Sequence, residues 1–176
     1  MKFTNDVYPG IFHQNGKAVA TDGYMMVVVN QDYDPSVEGK SIGKDGIDVT
    51  GKGRLFQLRN WKSVIPDTNG WNKLYLEDVP DTLFKEAREH KKLYGKESMA
   101  RVIINDNWYN LWQLEKIMQL VKNQKDVVIY CRKKSQKRYD SVILTIQSKE
   151  VTAVLMPVFP TYKNDITDTM FIKRIA

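Results

Sequence analysis

The chain has 176 residues, of which 42% are hydrophobic and 27% are charged, proportions ordinary for a soluble globular domain. No apolar run reaches about 18 residues, so no membrane span is predicted, and the opening MKFTNDVYPG lacks the apolar core of a secretory signal. The single cysteine, Cys131, excludes an internal disulfide framework and suits a reducing compartment, so we expect a cytoplasmic protein.

The net charge of +6 is concentrated in the middle of the chain. Residues 85–138 carry 14 basic and six acidic side chains, an excess of eight, whereas residues 1–84 carry nine basic and 11 acidic ones. Such a basic block favours contact with phosphate backbones through counterion release. The alternative is a basic face that is merely solvated, and the charge pattern alone gives the two readings about equal weight.

The first half of the chain is predicted to be rich in strands and loops. Residues 8–30 are typical of a hairpin that turns at Asn15-Gly16. Residues 31–53 hold five of the ten glycines, which indicates a loop-rich connection with a short strand over residues 47–49. Residues 54–66 are predicted to form a strand that ends at Pro66.

The second half alternates helices and strands. A helix is predicted from near Asp81 to about Tyr94, with Gly95 as its C-terminal stop. A short buried strand over residues 100–106 and a second helix over residues 108–123 follow. Three strands are then predicted, over 126–133, 139–146 and 150–156, whereas residues 159–176 show no clear pattern. Two amphipathic helices on a mainly antiparallel sheet predict an α+β domain.

Both helices have distinct faces at 100° per residue. The apolar face of the first helix comprises Leu83, Phe84, Ala87, His90 and Tyr94. Its opposite face carries a basic stripe of Lys85, Arg88, Lys92 and Lys96. The second helix has a polar face that is only weakly basic and includes Lys116.

Catalytic and metal-binding patterns are weak. Two histidines and one cysteine give no clustered metal-ligand spacing, and no cofactor is predicted. VEGKS (37–41) resembles the end of a phosphate-binding loop, but the position that requires glycine is Asp34. Cys131 is expected to be a buried structural thiol, and Glu86 and Glu89 are expected to form ion pairs on the helix surface. A nuclease centre assembled from scattered acids stays open.

Three separated segments together resemble the bacterial sliding clamp, the β-subunit family of DNA polymerase processivity factors. AVATDGYMMVV (18–28) resembles the ATDGHRLA turn of that family, RNWKSVIP (59–66) resembles its FPDYRRVIP segment, and AVLMPV (153–158) resembles its C-terminal VVMPM. The segments occur in the family's order. The chain has about half the length of a three-domain clamp subunit, so the resemblance implies a reduced clamp-like domain over residues 1–158 with a tail over 159–176.

In that family the three segments converge to line a hydrophobic groove that takes short peptide motifs of replication proteins. The resemblance implies a peptide site formed by Thr21, Gly23, Tyr24, Met25, Met26, Val64, Val154, Leu155, Met156, Pro157 and Val158. Tyr24-Met25 replaces the family's His-Arg, and Arg59 and Ser63 replace its proline and arginine, so the peptide preference is expected to differ. The tail, with Phe159, Phe171 and Ile172, is an alternative occupant. The groove residues could equally be core.

The resemblance also assigns the helices to double-stranded DNA. The residues expected to contact phosphates without base readout are Lys85, Arg88, Lys92, Lys96 and Lys116. A ring needs about six such domains, so it would require a homo-oligomer. The leading hypothesis is a non-enzymatic protein that tethers a partner peptide, DNA, or both. A clamp-fold regulatory protein without a DNA role is the alternative, followed by a DNA-acting enzyme such as a nuclease.

Overall fold

The computed structural model describes residues 3–95, 99–132, 144–158 and 170–175 and confirms a mixed α+β fold. Eleven strands are described: β1 Gly10–Gln14, β2 Lys17–Thr21, β3 Met25–Asn30, β4 Ser41–Gly43, β5 Asn72–Tyr75, β6 Met99–Ile104, β7 Asn107–Asn110, β8 Val128–Cys131, β9 Leu144–Gln147, β10 Val151–Leu155 and β11 Met170–Arg174. The α-helices are α1 Leu83–Tyr94 and α2 Leu111–Val121, and short 3-10 helices occur at Pro35–Val37, Leu55–Val64 and Leu76–Asp78. No helix within the described ranges is long and apolar enough to span a membrane.

The strands form two sheets. The larger sheet has eight strands in the order β4-β1-β2-β3-β10-β9-β8-β5, and each described neighbouring pair is antiparallel. The smaller sheet has the order β11-β6-β7. The predicted turn is confirmed, because β1 and β2 are joined by Asn15 and Gly16, whose φ angles of 53° and 68° suit a tight two-residue turn. Residues 8–30 contain three strands rather than the two of a single hairpin, because a second turn separates β2 from β3.

The larger sheet has an apolar core on each face. Along β3, Met25 and Val27 point to the core that holds α1, α2 and the smaller sheet. Met26 and Val28 point to a second core, which is closed by the 3-10 helix Leu55–Val64. This arrangement follows from the period of two along a strand, which sends successive side chains to opposite faces.

Both predicted helices are confirmed, with changes at their ends. Gly95 ends α1 with a φ of 66°, a conformation that favours glycine. The second helix begins at Leu111 rather than residue 108, because residues 107–110 form β7, which pairs with β6 across a tight turn at Asn105 and Asp106. The side chain of Asn110 then caps α2 by accepting hydrogen bonds from the backbone N–H groups of the second and third residues.

The strand predicted over residues 54–66 is wrong. Leu55, Leu58 and Trp61 recur every three residues and are all buried against the sheet, a period that matches a 3-10 helix rather than a strand. The short strand predicted at residues 47–49 is also wrong. The strand in this region is β4, and Asp48 forms only an isolated bridge to Ile42.

The tail contains order that its sequence pattern did not predict. Strand β11 pairs in parallel with β6, and Phe171 lies opposite Ala100 and contacts the ring of His90 on α1. Phe171 and Ile172 therefore lie in the smaller sheet, which does not support the tail as the occupant of the predicted groove. Phe159 and the start of the predicted strand over 139–146 lie outside the described residues.

The cap of α2 gives a direct test of this fold. We expect Asn110→Ala to lower the free energy of unfolding by about 1 kcal/mol, because two backbone donors at the helix start lose their acceptor. Urea unfolding followed by circular dichroism measures the change. Asn110→Asp keeps the acceptor and is the matched control, and equal stability of both variants and wild type would contradict the capping role.

Candidate functional site

The three segments of the predicted peptide groove do meet in space. Met26 on β3 lies opposite Val154 on β10, and both pack in one cluster with Leu58 and Trp61 from the 3-10 helix Leu55–Val64. The backbone N–H of Met156 also donates to the carbonyl of Tyr24 at 2.8 Å, which joins the end of β10 to the turn before β3.

Much of this meeting point is closed core. Met26 and Val154 are 4% and 1% exposed, and the 3-10 helix covers them. Met25 and Leu155 are buried on the opposite face of the sheet, against the helices. Thr21 is buried as well, and its hydroxyl donates to the Met25 carbonyl at 2.6 Å. These five side chains are therefore part of the buried interior of the domain and do not line an open groove.

The accessible members form a small patch, which we call the strand-junction patch. It consists of Gly23, Tyr24, Met156, Pro157 and Val158. Tyr24 is 67% exposed, and the last three residues are half-buried. The Asp22 carboxylate accepts hydrogen bonds from the backbone of Tyr24 and Met25, which fixes the turn that presents the Tyr24 side chain.

Val64, the remaining predicted groove residue, is exposed at the end of its 3-10 helix. A cavity on this face is lined by residues including Trp61, Ile65 and Lys149 and has a volume of about 170 Å³. Small-molecule pockets usually have roughly 300–1,000 Å³. This cavity is therefore smaller than an ordinary ligand pocket.

The two helices lie side by side and run antiparallel. Arg88 on α1 forms an ion pair with Glu115 on α2, and Lys91 of α1 lies over the ring of Trp112 of α2, 5.4 Å from its centroid. Contacts therefore pair later residues of α1 with earlier residues of α2. This packing places the polar faces of both helices next to each other on the outside of the domain.

The solvent-facing side of the helix pair carries lysines without described ion-pair partners. Lys85 and Lys92 are exposed and Lys116 is half-buried, and none of the three forms an ion pair within the part of the chain that the structure describes. Arg88 is exposed but shared with Glu115. Lys96, the last predicted member of the stripe, lies outside the described residues.

One of the two acids of α1 points away from this face. The carboxylate of Glu86 accepts a hydrogen bond from Thr82 and lies 2.9 Å from the amine of Lys173 on β11. The Thr82 hydroxyl, and secondly Lys173, lower the pKa of Glu86. Glu86 therefore forms the predicted surface ion pair, but with a distant strand rather than with its own helix.

The described residues contain no group of three histidine, cysteine or acidic side chains placed to hold a metal ion. The residues 37–41, VEGKS, begin at the end of a short 3-10 helix and lead into a strand, and the Asp34 carboxylate caps that helix by accepting from the Ser36 N–H.

Cys131 is fully buried as predicted, and the Asn105 amide donates to its sulfur at 2.9 Å. Burial raises the pKa of the Cys131 thiol.

Sequence reasoning missed a cleft between the two helices. It has a volume of about 390 Å³, and its apolar lining includes Val79, Phe84 and Met118. The helical periodicity predicts Phe84 on the apolar face of the first helix. Phe84 and Met118 are only partly buried, because both line this cleft. The spacing within one helix carries no information on this gap between two helices.

Comparison with known proteins adds no relative. No protein-family model, curated protein or solved structure matches this chain.

The core position of Met26 can be separated from a surface role. We expect Met26→Ala to lower the free energy of unfolding by about 2–5 kcal/mol, because it leaves a cavity between the sheet and the covering 3-10 helix. Tyr24→Ala, two residues away, should change it by less than about 0.5 kcal/mol because the side chain is largely exposed. Urea unfolding measures both, and a neutral Met26→Ala would contradict the core assignment.

The thiol of Cys131 should be inert in the folded protein. We expect its reaction with Ellman's reagent to be roughly 100-fold or more slower than in the unfolded chain, since burial blocks access and disfavours the thiolate. The raised pKa of the thiol lowers the fraction of reactive thiolate at neutral pH. Absorbance at neutral pH, with and without denaturant, measures the rates, and rapid native labelling would refute the buried position.

Proposed function

We propose that this chain is a non-enzymatic, clamp-like binding protein whose α1–α2 face holds the phosphate backbone of double-stranded DNA. The supporting observation is the outward face of the antiparallel helix pair, which presents Lys85, Lys92 and Lys116 free of ion pairs with other described residues. Lysine is a flexible point charge, so such a face suits phosphate contact without reading bases.

The packing of the helices favours this role. The Arg88–Glu115 ion pair and the Lys91–Trp112 contact tie α1 to α2, and the apolar faces of both helices are anchored in one core. Because the two helices are held together, the outward lysines of α1 and α2 keep fixed positions relative to each other. Each phosphate that they neutralise should steepen the salt dependence of binding by about 0.9 in a plot of log affinity against log salt.

The edges of the large sheet favour contact by a single chain over a ring of strand-paired copies. Beside β4, the N–H of Val49 donates to the carbonyl of Ser41 at 2.8 Å, and Asp48 bridges to Ile42. At the other edge, the N–H of Tyr75 on β5 donates to the carboxylate of Asp78 at 2.7 Å. Partly occupied edges disfavour the homo-oligomer that a closed ring of such domains would require.

A second candidate is a clamp-fold interaction or regulatory protein without a DNA role, whose partner is a peptide motif of a replication-type protein. The strand-junction patch favours it, because Tyr24 is mostly exposed and is hydrogen-bonded through its carbonyl to Met156. A DNA-acting enzyme is the remaining hypothesis, and metal-dependent cleavage of plasmid DNA by the purified chain would replace both binding proposals.

The DNA proposal predicts the effect of reversing three charges. We expect the Lys85→Glu, Lys92→Glu, Lys116→Glu triple variant to bind a fluorescent duplex at least tenfold more weakly at low salt, and its salt slope to fall by about 2 to 3. Fluorescence anisotropy at several salt concentrations measures both quantities.

A matched variant separates this face from net charge. Lys44, Lys52 and Lys149 are exposed in other parts of the structure, and their replacement by glutamate changes the charge by the same amount. We expect this control to retain most of its affinity. Equal losses in the two variants would contradict a DNA site on the helices, and absence of duplex binding by wild type would leave the second candidate.

A further inference from the structure

The cleft between α1 and α2 is large enough to hold a side chain of another molecule. Its volume of about 390 Å³ lies within the roughly 300–1,000 Å³ of ordinary ligand pockets. Leu76, Val79, Phe84 and Met118 give it an apolar lining, and three of them are only partly buried against the core. Partly buried apolar side chains at a cleft are the feature that a hydrophobic anchor can cover.

A second depression adjoins the cleft, since the two share one lining residue. That depression has a volume of about 380 Å³, shares Leu76 with the cleft, and extends past Val127 and Val128 beside β5. We call the two together the helix groove. Two adjacent depressions fit an extended chain segment better than a compact small molecule.

The charges along the helix groove are not uniform. Two cations, Lys122 and Arg88, and two carboxylates, Glu115 and Asp81, line the cleft. Glu115 pairs with Arg88, so the remaining charges are Lys122 on the α2 side and Asp81 on the α1 side. Lys122 has no ion-pair partner within the described ranges. The second depression instead carries two carboxylates, Glu77 and Asp126, which likewise have no described ion-pair partner.

We propose that the helix groove binds a short peptide segment of a partner protein, with an apolar anchor in the cleft, an acidic side chain at Lys122 and a basic side chain at Glu77 and Asp126. The apolar lining provides the burial, and the opposite charges at the two ends fix the direction of the peptide. Phosphate backbones do not fit this description, because the second depression is acidic.

This site is separate from the proposed DNA face. Lys85, Lys92 and Lys116 do not line the helix groove. Peptide binding can therefore fail while DNA binding survives, and the reverse also holds.

The test uses the full chain and two fluorescein-labelled peptides, EELSSFKK and its anchor-free counterpart EESSSSKK. We expect saturable binding of the first by fluorescence polarisation, and at least tenfold weaker binding of the second. Phe84→Asp should weaken binding of the first peptide at least tenfold, and Phe84→Leu should retain it. Lys122→Glu, on an exposed side chain that leaves the fold intact, should weaken binding about fivefold.

Three outcomes would overturn the proposal. They are no saturable binding of EELSSFKK, equal binding of both peptides, and binding unchanged in Lys122→Glu and Phe84→Asp. Tyr24→Asp is the matched variant at the strand-junction patch and should bind like wild type. If Tyr24→Asp loses binding and the helix-groove variants keep it, the peptide site lies at that patch and the proposal is wrong.

Discussion

Strand β3 is the constraint on which the rest of the molecule depends. It lies inside the eight-stranded sheet, paired with β2 on one side and β10 on the other. Because both faces of this sheet are covered, successive side chains of β3 enter two different cores. Met25 helps to anchor the helices and Met26 helps to hold the 3-10 helix Leu55–Val64. A change of one residue in register would exchange these partners and disrupt both layers at once.

This constraint decides which residues remain for binding. Apolar side chains that fill two cores cannot also form the open wall of a groove, so the apolar run of β3 is structural, and only Tyr24 before it remains widely exposed. The candidate binding surfaces are therefore those whose side chains are not buried in either core. These are the outward face of the helix pair, the groove beside it and the small patch where β10 ends. The position of each of these surfaces is determined by how the helices and the 3-10 helix pack on the central sheet.

Sequence patterns predicted the local parts of this fold and missed the parts that depend on distant contacts. The Asn15-Gly16 hairpin and both helices carry their signals within a few residues. Strand β11 does not, since its order comes from pairing with β6 some 70 residues earlier in the chain. At the site, the resemblance placed Met26, Val154 and the segment around Trp61 together, and they are in contact. These residues are closed to solvent because the 3-10 helix Leu55–Val64 covers them. The sequence pattern predicts a strand for that segment and therefore does not predict the cover.

The cations of α1 lie in two different settings. Lys91 and Arg88 point across to α2 and help to hold the helices together, whereas Lys85 and Lys92 point outward. Glu115 is only 16% exposed, so releasing Arg88 would leave a mostly buried carboxylate without its partner, and we expect the Arg88–Glu115 ion pair to persist. The apolar faces, buried in the shared core, also hold α1 against α2. The exposed lysines can therefore change their ionic partners without disturbing the contacts that hold the helices together, which is what the proposed contact with a uniform phosphate backbone requires.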